Sequence, residues 1–175
     1  RCMDKKVIFL DRDGVINKEV GYLHKIEDFE FIDGVFDACL DFQSSGYQII
    51  IITNQSGIER GYYNDKDFHA VSDWMLSQFK AHDIDILDIF YCPHSPESNC
   101  NCRKPKPGMF NQANDKYGID MQNSWMIGDK EADIQAANSA GISNTVLVKS
   151  GHEIDEKNSK ARFMLDSIKQ VTTIL

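Results

Sequence analysis

Short apolar runs alternate along the chain with stretches whose apolar residues recur every three or four positions. Lys5 to Leu10 carries the first run, Val7-Ile8-Phe9-Leu10, and predicts a strand buried on both faces. From Asp33, a candidate N-cap, Val35, Phe36, Cys39, Leu40 and Phe42 fall at helical spacing, and Gly46 suits the helix end. Gln48 to Ile52 predicts a second buried strand, because its four successive isoleucines favour extended backbone. A second helix is predicted from Asn64, with Phe68, Val71, Met75 and Phe79 on one face, and Ile84 to Tyr91 reads as a third strand. Pro107 marks the start of a further helix whose apolar face holds Met109, Phe110, Ala113 and Tyr117 before Gly118. Ser124 to Ile127 and Thr145 to Val148 read as strands, flanking an alanine-rich helix from Glu131 to Ala140 that stops at Gly141. The tail from Lys160 reads as one more strand or helix, and its pattern does not choose between them.

Repeated strand–helix–strand units imply a parallel sheet covered by helices on both faces, a three-layer Rossmann-like α/β fold. The 175 residues suit one domain, at roughly 150 residues per domain, and no repeat or low-complexity tract divides them. The balance of 42% apolar and 26% charged residues is that of a globular chain. A net charge of −8 argues against general affinity for nucleic acid or anionic membrane, so an anionic ligand needs a local cluster of cations. No apolar run is long enough to span a bilayer and no signal peptide is recognisable, so a cytoplasmic monomer is expected. Met3 is a candidate natural start, and Arg1 and Cys2 before it are assigned no function.

In such sheets ligands sit beyond the carboxyl ends of the strands, where four polar motifs fall. Asp11-Arg12-Asp13-Gly14 follows the first strand, Thr53-Asn54-Gln55-Ser56-Gly57 the second, Cys92 to Lys106 the third and Gly128-Asp129-Lys130-Glu131-Ala132-Asp133 the fourth. Asp11 and Asp13, two apart on extended chain, place both carboxylates on one side. Two such groups can divide labour, one staying ionised as nucleophile or metal ligand while the other carries a proton; the alternative is a solvated acidic turn. A calcium loop fails on spacing, because counting from Asp11 puts Ile16 where glycine is needed and Tyr22 where glutamate is needed. Asp129 adds a third carboxylate, with Asp133 one helical turn on, and converging hard oxygens suit Mg²⁺; as a lone residue Asp129 would read as a helix cap. Thr53 brings a hydroxyl, and the amides of the turn after it can form an anion-binding nest or an ordinary turn. Arg103-Lys104-Pro105-Lys106 concentrates positive charge on a stiff backbone, for phosphate or as a solvated face, and Lys130 adds another cation. Cys92, His94, Cys100 and Cys102 supply the four soft ligands of a closed structural zinc site; a redox pair is the rival, but no C-x-x-C is present. Cys39, Trp74, Met75 and Phe79 fit a core rather than a cofactor site.

Taken together, residues 9–14, Thr53 to Gly57, Cys-Arg-Lys-Pro at 102–105 and Gly-Asp-Lys at 128–130 resemble the haloacid dehalogenase superfamily of phosphatases. Gly21-Tyr22-Leu23-His24, Phe29 to Gly34 and Asn54 to Gly61 narrow the resemblance to the bacterial D-glycero-D-manno-heptose 1,7-bisphosphate 7-phosphatases. The resemblance implies that Asp11 attacks phosphorus to give an aspartyl-phosphate, with Asp13 as the acid and then the base. It implies Mg²⁺ held by Asp11, the backbone carbonyl of Asp13, and Asp129. Thr53 and Lys104 would bind the transferring phosphoryl group. Arg12, Glu19, Val20, Gly21, Tyr22, Asn54, Gln55, Ser56, Arg103 and Lys130 would hold a small sugar bisphosphate. Loops 15–32 and 54–63 are too short for the large cap domain of many superfamily members, which leaves a single domain over 1–175 with an inserted zinc loop at 92–102. The product would feed cell-surface heptose (lipopolysaccharide) synthesis. The short zinc loop also resembles histidinol-phosphate phosphatases, the alternative enzyme reading. A zinc-stabilised binding module would predict a missing catalytic aspartate, and none is missing.

Overall fold

A computed structural model describes residues 4–175, so Cys2 and the candidate start at Met3 lie outside the described residues. Six strands form one wholly parallel sheet: β1 (Val7–Leu10), β2 (Gln48–Asn54), β3 (Asp88–Cys92), β4 (Trp125–Gly128), β5 (Asn144–Val148) and β6 (Phe163–Leu165). Their spatial order is β3-β2-β1-β4-β5-β6. The chain therefore reverses its direction of winding between β1 and β4, which makes the crevice beyond those two strands the favoured ligand position.

Alternation along each strand explains the two-sided core. Ile8, Leu10, Ile49, Ile51, Trp125, Ile127, Val146 and Val148 face one layer, packed by α1 (Val35–Ser44) and α2 (Asp65–Ala81). Val7, Phe9, Ile50, Ile52 and Met126 face the other, packed by α3 (Gly108–Tyr117) and α4 (Glu131–Ser139). Every residue of β1 and β4 is buried, so neither strand shows an amphipathic pattern.

The expected α/β architecture is present, with local corrections. The N-cap of α1 is Gly34, not Asp33, because the chain enters with φ +84°, a conformation glycine adopts freely. The third strand starts at Asp88 rather than Ile84: Ile84 is buried among the helices beside α2, and pairing with β2 begins only at Ile50 opposite Asp88. The tail resolves into both alternatives, strand β6 followed by a 3-10 helix at Ile168–Thr173 that packs on α1. Between β1 and α1 stands only a one-turn 3-10 helix at Ile26–Asp28, and residues 55–64 hold no regular element, so neither segment forms a cap domain. Among the described residues no helix is long and apolar enough to cross a membrane.

Candidate active site

Asp11 is the first residue after β1, and its N–H continues the ladder to the carbonyl of Ile127 on β4 at 3.0 Å. Asp129 follows the end of β4 directly, so the two strands deliver both carboxylates to the sheet's switch point. Asp133, one turn into α4, joins them, and ligand oxygens of the three lie within 4.8 Å of one another. All three are buried. Gly128 makes this approach possible: a Cβ there would stand 2.3 Å from the Cβ of Asp133.

Lys104 neutralises part of this charge. Its buried Nζ lies 3.1 Å from Asp11 Oδ1 and 2.6 Å from Asp133 Oδ1, and donates to the Ile52 carbonyl at 3.0 Å. Burial alone would pull Lys104 below the ordinary lysine value, but Asp11 and Asp133 outweigh it and hold the ammonium charged. Asp133 is fully engaged, since its Oδ2 accepts the N–H groups of Asp129 and Lys130, each at 3.1 Å. Burial, then the charge of Asp133, drives Asp11 well above the usual carboxylate range, and the same two causes push Asp129 up to about 6. Asp129 Oδ1 is buried with no hydrogen-bond partner. A buried orphan oxygen beside a second carboxylate is what a hard divalent cation would satisfy, so the donor set fits Mg²⁺.

Asp13 is held differently. The Arg12 guanidinium forks onto it from Nε at 3.2 Å and Nη2 at 2.9 Å, Asn17 donates to Oδ1 at 3.0 Å and Gln55 to Oδ2 at 3.2 Å. Burial would raise its pKa, but Arg12 and these donors hold the carboxyl below the usual value. Arg12, expected to hold substrate, has a side chain only 2% exposed and turned onto Asp13 and the Leu23 carbonyl. Gln55 is fixed in turn by Tyr63, whose hydroxyl donates to its Oε1, while its amide also donates to Thr53 Oγ1 at 2.9 Å. Burial raises the Tyr63 hydroxyl to about 12 and keeps it a donor.

These groups floor a cleft of about 310 Å³. Glu19, Gly21 and Tyr22 form one wall, Asn54, Gln55 and Ser56 a second, and Arg103, Lys104 and Lys130 a third. Asn54 clamps the Lys104 backbone, donating to its carbonyl at 3.2 Å and accepting its N–H at 3.1 Å, so its amide positions Lys104. Thr53 sits buried at the end of β2 behind the wall. Val20, also expected to hold substrate, is exposed between Glu19 and Gly21 of the cleft wall. Five lining residues were not among the site residues predicted from the sequence: Arg60, Tyr63, Ala132, Asp133 and His152. Arg60, Ala132 and Asp133 lie inside motifs already singled out. Tyr63 and His152 carried no local signal.

The Cys92, Cys100 and Cys102 sulfurs gather in one cluster, Cys92 and Cys102 standing 3.6 and 3.7 Å from Cys100. Three soft donors this close fit zinc. Burial raises the Cys92 thiol; at Cys100 burial also raises it, but hydrogen bonds from the Arg103 backbone and the Cys92 sulfur prevail and leave it at about 7. His94, expected as the fourth ligand, is not within reach of all three sulfurs; its Nδ1 lies 3.1 Å from Glu59 Oε2. Glu59 also takes the Ser95 N–H at 2.9 Å and the Ser98 hydroxyl, and these bonds hold it down to about 2. The same loop carries Arg103, which donates to the His94 carbonyl at 3.2 Å.

The Hydrolase_like family model, described as "HAD-hyrolase-like", matches residues 101–171. The D-glycero-alpha-D-manno-heptose-1,7-bisphosphate 7-phosphatase of Photorhabdus laumondii is 51% identical over 163 residues, covering 89% of this chain and 89% of that protein. The D-glycero-beta-D-manno-heptose-1,7-bisphosphate 7-phosphatase of Vibrio cholerae is 45% identical over 97% of this chain and 95% of its own. A crystal structure of D,D-heptose 1,7-bisphosphate phosphatase from B. bronchiseptica, complexed with magnesium and phosphate, superposes with a TM-score of 0.84 at 28% identity, over 96% of each chain.

Proposed function

The chain belongs to the heptose-1,7-bisphosphate 7-phosphatases of the haloacid dehalogenase superfamily, and from that premise we propose that it removes the 7-phosphate of D-glycero-D-manno-heptose 1,7-bisphosphate through an aspartyl-phosphate on Asp11. The observation that carries this reading is Asp11 at the switch point with Lys104 Nζ 3.1 Å from Oδ1. A carboxylate nucleophile and a fixed cation for the phosphoryl oxygens thus meet on the cleft floor. Residues 1–175 act as one catalytic domain.

In the first step a carboxylate oxygen of Asp11 forms a bond to phosphorus as the bond to the sugar oxygen breaks, and Asp13 gives that oxygen its proton. In the second, water attacks the aspartyl-phosphate, Asp13 takes the water's proton, and phosphate leaves with Asp11 restored. The free enzyme keeps Asp13 ionised. A phosphoryl dianion arriving beside it adds like charge, which raises its pKa towards the proton-carrying form the first step needs. Arg12, Asn17 and Gln55 keep its direction fixed throughout. Lys104 balances the oxygens that gain charge, held in register by Asn54 and Asp133. Asp11, Asp129 and the Asp13 carbonyl would hold Mg²⁺, which supplies further neutralisation of the phosphoryl group when bound. Arg103, Lys130 and Arg60 line the outer cleft and suit the anionic part of the substrate that does not react. Cys92, Cys100 and Cys102 would hold a structural zinc, with His94 completing the set if its ring leaves Glu59.

The test is turnover on both heptose bisphosphate anomers, fructose 1,6-bisphosphate and histidinol phosphate, side by side in Mg²⁺. The heptose substrates should exceed the other two in kcat/KM by at least two orders of magnitude. Comparable turnover of histidinol phosphate would overturn the assignment.

A further inference from the structure

The two oxygens of Asp129 have different surroundings. Oδ2 takes the His152 backbone N–H at 3.2 Å and lies 2.5 Å from His152 Nδ1, whereas Oδ1 is buried without a partner. An ionised carboxylate only accepts, so in that state Nδ1 carries the hydrogen of this pair. His152 comes from the loop after β5, and its imidazole is 39% exposed on the cleft wall.

The loop that brings it there is fitted to the carboxylate. Ser150 Oγ donates to the Gly14 carbonyl at 2.7 Å and pins this loop to the turn after Asp13. A Cβ on Gly151 would stand 2.1 Å from Asp129 Oδ2, and one on Gly14 would stand 2.3 Å from the same atom. The two glycine backbones thus close on Oδ2, and neither position admits a side chain without moving Asp129. With Oδ2 enclosed and engaged by two contacts from His152, Oδ1 is the oxygen left without a partner on a carboxylate that clusters with Asp11 and Asp133.

We propose that His152 is a positioning residue for the cation site: it occupies Oδ2 of Asp129 and so presents Oδ1 to Mg²⁺. The inference rests on reading Asp129 as a metal ligand. A residue that orients a metal ligand through its remaining acceptor typically accounts for 10–100-fold in affinity.

The experiment is calorimetric titration of Mg²⁺ into protein exchanged into magnesium-free buffer, for the parent, His152→Ala, His152→Asn and Asp129→Asn. His152→Ala should bind Mg²⁺ roughly 10–100-fold more weakly. His152→Asn places an amide N–H where Nδ1 stands and should bind within about threefold of the parent, a factor worth less than about 0.7 kcal/mol. The Mg²⁺ concentration that gives half-maximal turnover should rise by the same factor in His152→Ala. Parent-like affinity in His152→Ala, or equal weakening in His152→Asn, would overturn the proposal. Asp129→Asn binding as tightly as the parent would instead remove the metal assignment on which it rests. Should His152→Ala fail to fold, His152→Leu, which keeps bulk without a donor, replaces it against His152→Asn.

Discussion

Replacing Lys104 by methionine would keep most of the buried stem and delete the charge. Asp11, Asp129 and Asp133 would then share one buried site with no cation between them, because Lys104 Nζ is the ammonium that lies 3.1 Å from Asp11 and 2.6 Å from Asp133. Breaking a buried ion pair on one side costs about 3–5 kcal/mol. At about 2–4 °C per kcal/mol for a chain of this size, the melting temperature should fall by roughly 6–20 °C. The loss should depend on pH with a definite sign. Asp129, pushed up to about 6, binds its proton more tightly folded than unfolded, so stability declines as pH rises from the unfolded carboxylate value near 4 towards 6. Removing Lys104 raises Asp11 and Asp129 further, so its deficit should be full at pH 8 and smaller at pH 5.5. Circular dichroism melts in magnesium-free buffer, with no chelator so that the proposed zinc site is left undisturbed, read this directly. Added Mg²⁺ should recover part of the loss, while kcat stays down by about 10²–10³-fold for want of a donor to the phosphoryl oxygens. A Tm change under about 2 °C at pH 8, or a deficit that grows on acidification, would refute the reasoning.

Arg103→Ala should raise KM by about 10–100-fold with a smaller effect on kcat, as expected for a charged hydrogen bond to the part of the substrate that does not react. An equal fall in kcat would place Arg103 at the reacting phosphoryl group. Metal analysis should find about one tightly held zinc per chain, and Cys102→Ser should lose it and depress turnover, because Cys102 directly precedes Arg103 and Lys104. A zinc-free preparation with full activity in Mg²⁺ would contradict this.

What the sequence made legible was what is written locally. The strands β1 and β2 announced themselves because residues buried on both faces form unbroken apolar runs. Helix α2 was marked by Asn64, whose side chain caps the Asp67 N–H in a reciprocal capping box. The Asp11, Thr53 and Asp129 motifs lie directly at strand ends, and Lys104 is carried on the loop that follows β3, so knowing the strands located the cleft. Reach and orientation were less legible. Arg12 sits between two site aspartates in sequence, yet its guanidinium is spent on Asp13. Ile84 and Ile86 looked like strand because burial beneath a helix and burial in a sheet select the same apolar residues. Tyr63 and His152 enter the site through contacts with Gln55 and Asp129 that close over 8 and 23 residues. No spacing rule marks such long closures, whereas the polar partner that each one satisfies is plain once the chain is folded.

The central claim, a covalent 7-phosphatase acting through Asp11, is tested most directly by following ³¹P NMR of D-glycero-D-manno-heptose 1,7-bisphosphate with the parent and with Asp11→Asn. The account predicts that the parent converts the 7-phosphate resonance to inorganic phosphate while the 1-phosphate resonance persists, and that Asp11→Asn leaves both unchanged at equal enzyme concentration. Initial loss of the 1-phosphate, or parent-like conversion by Asp11→Asn, would contradict it.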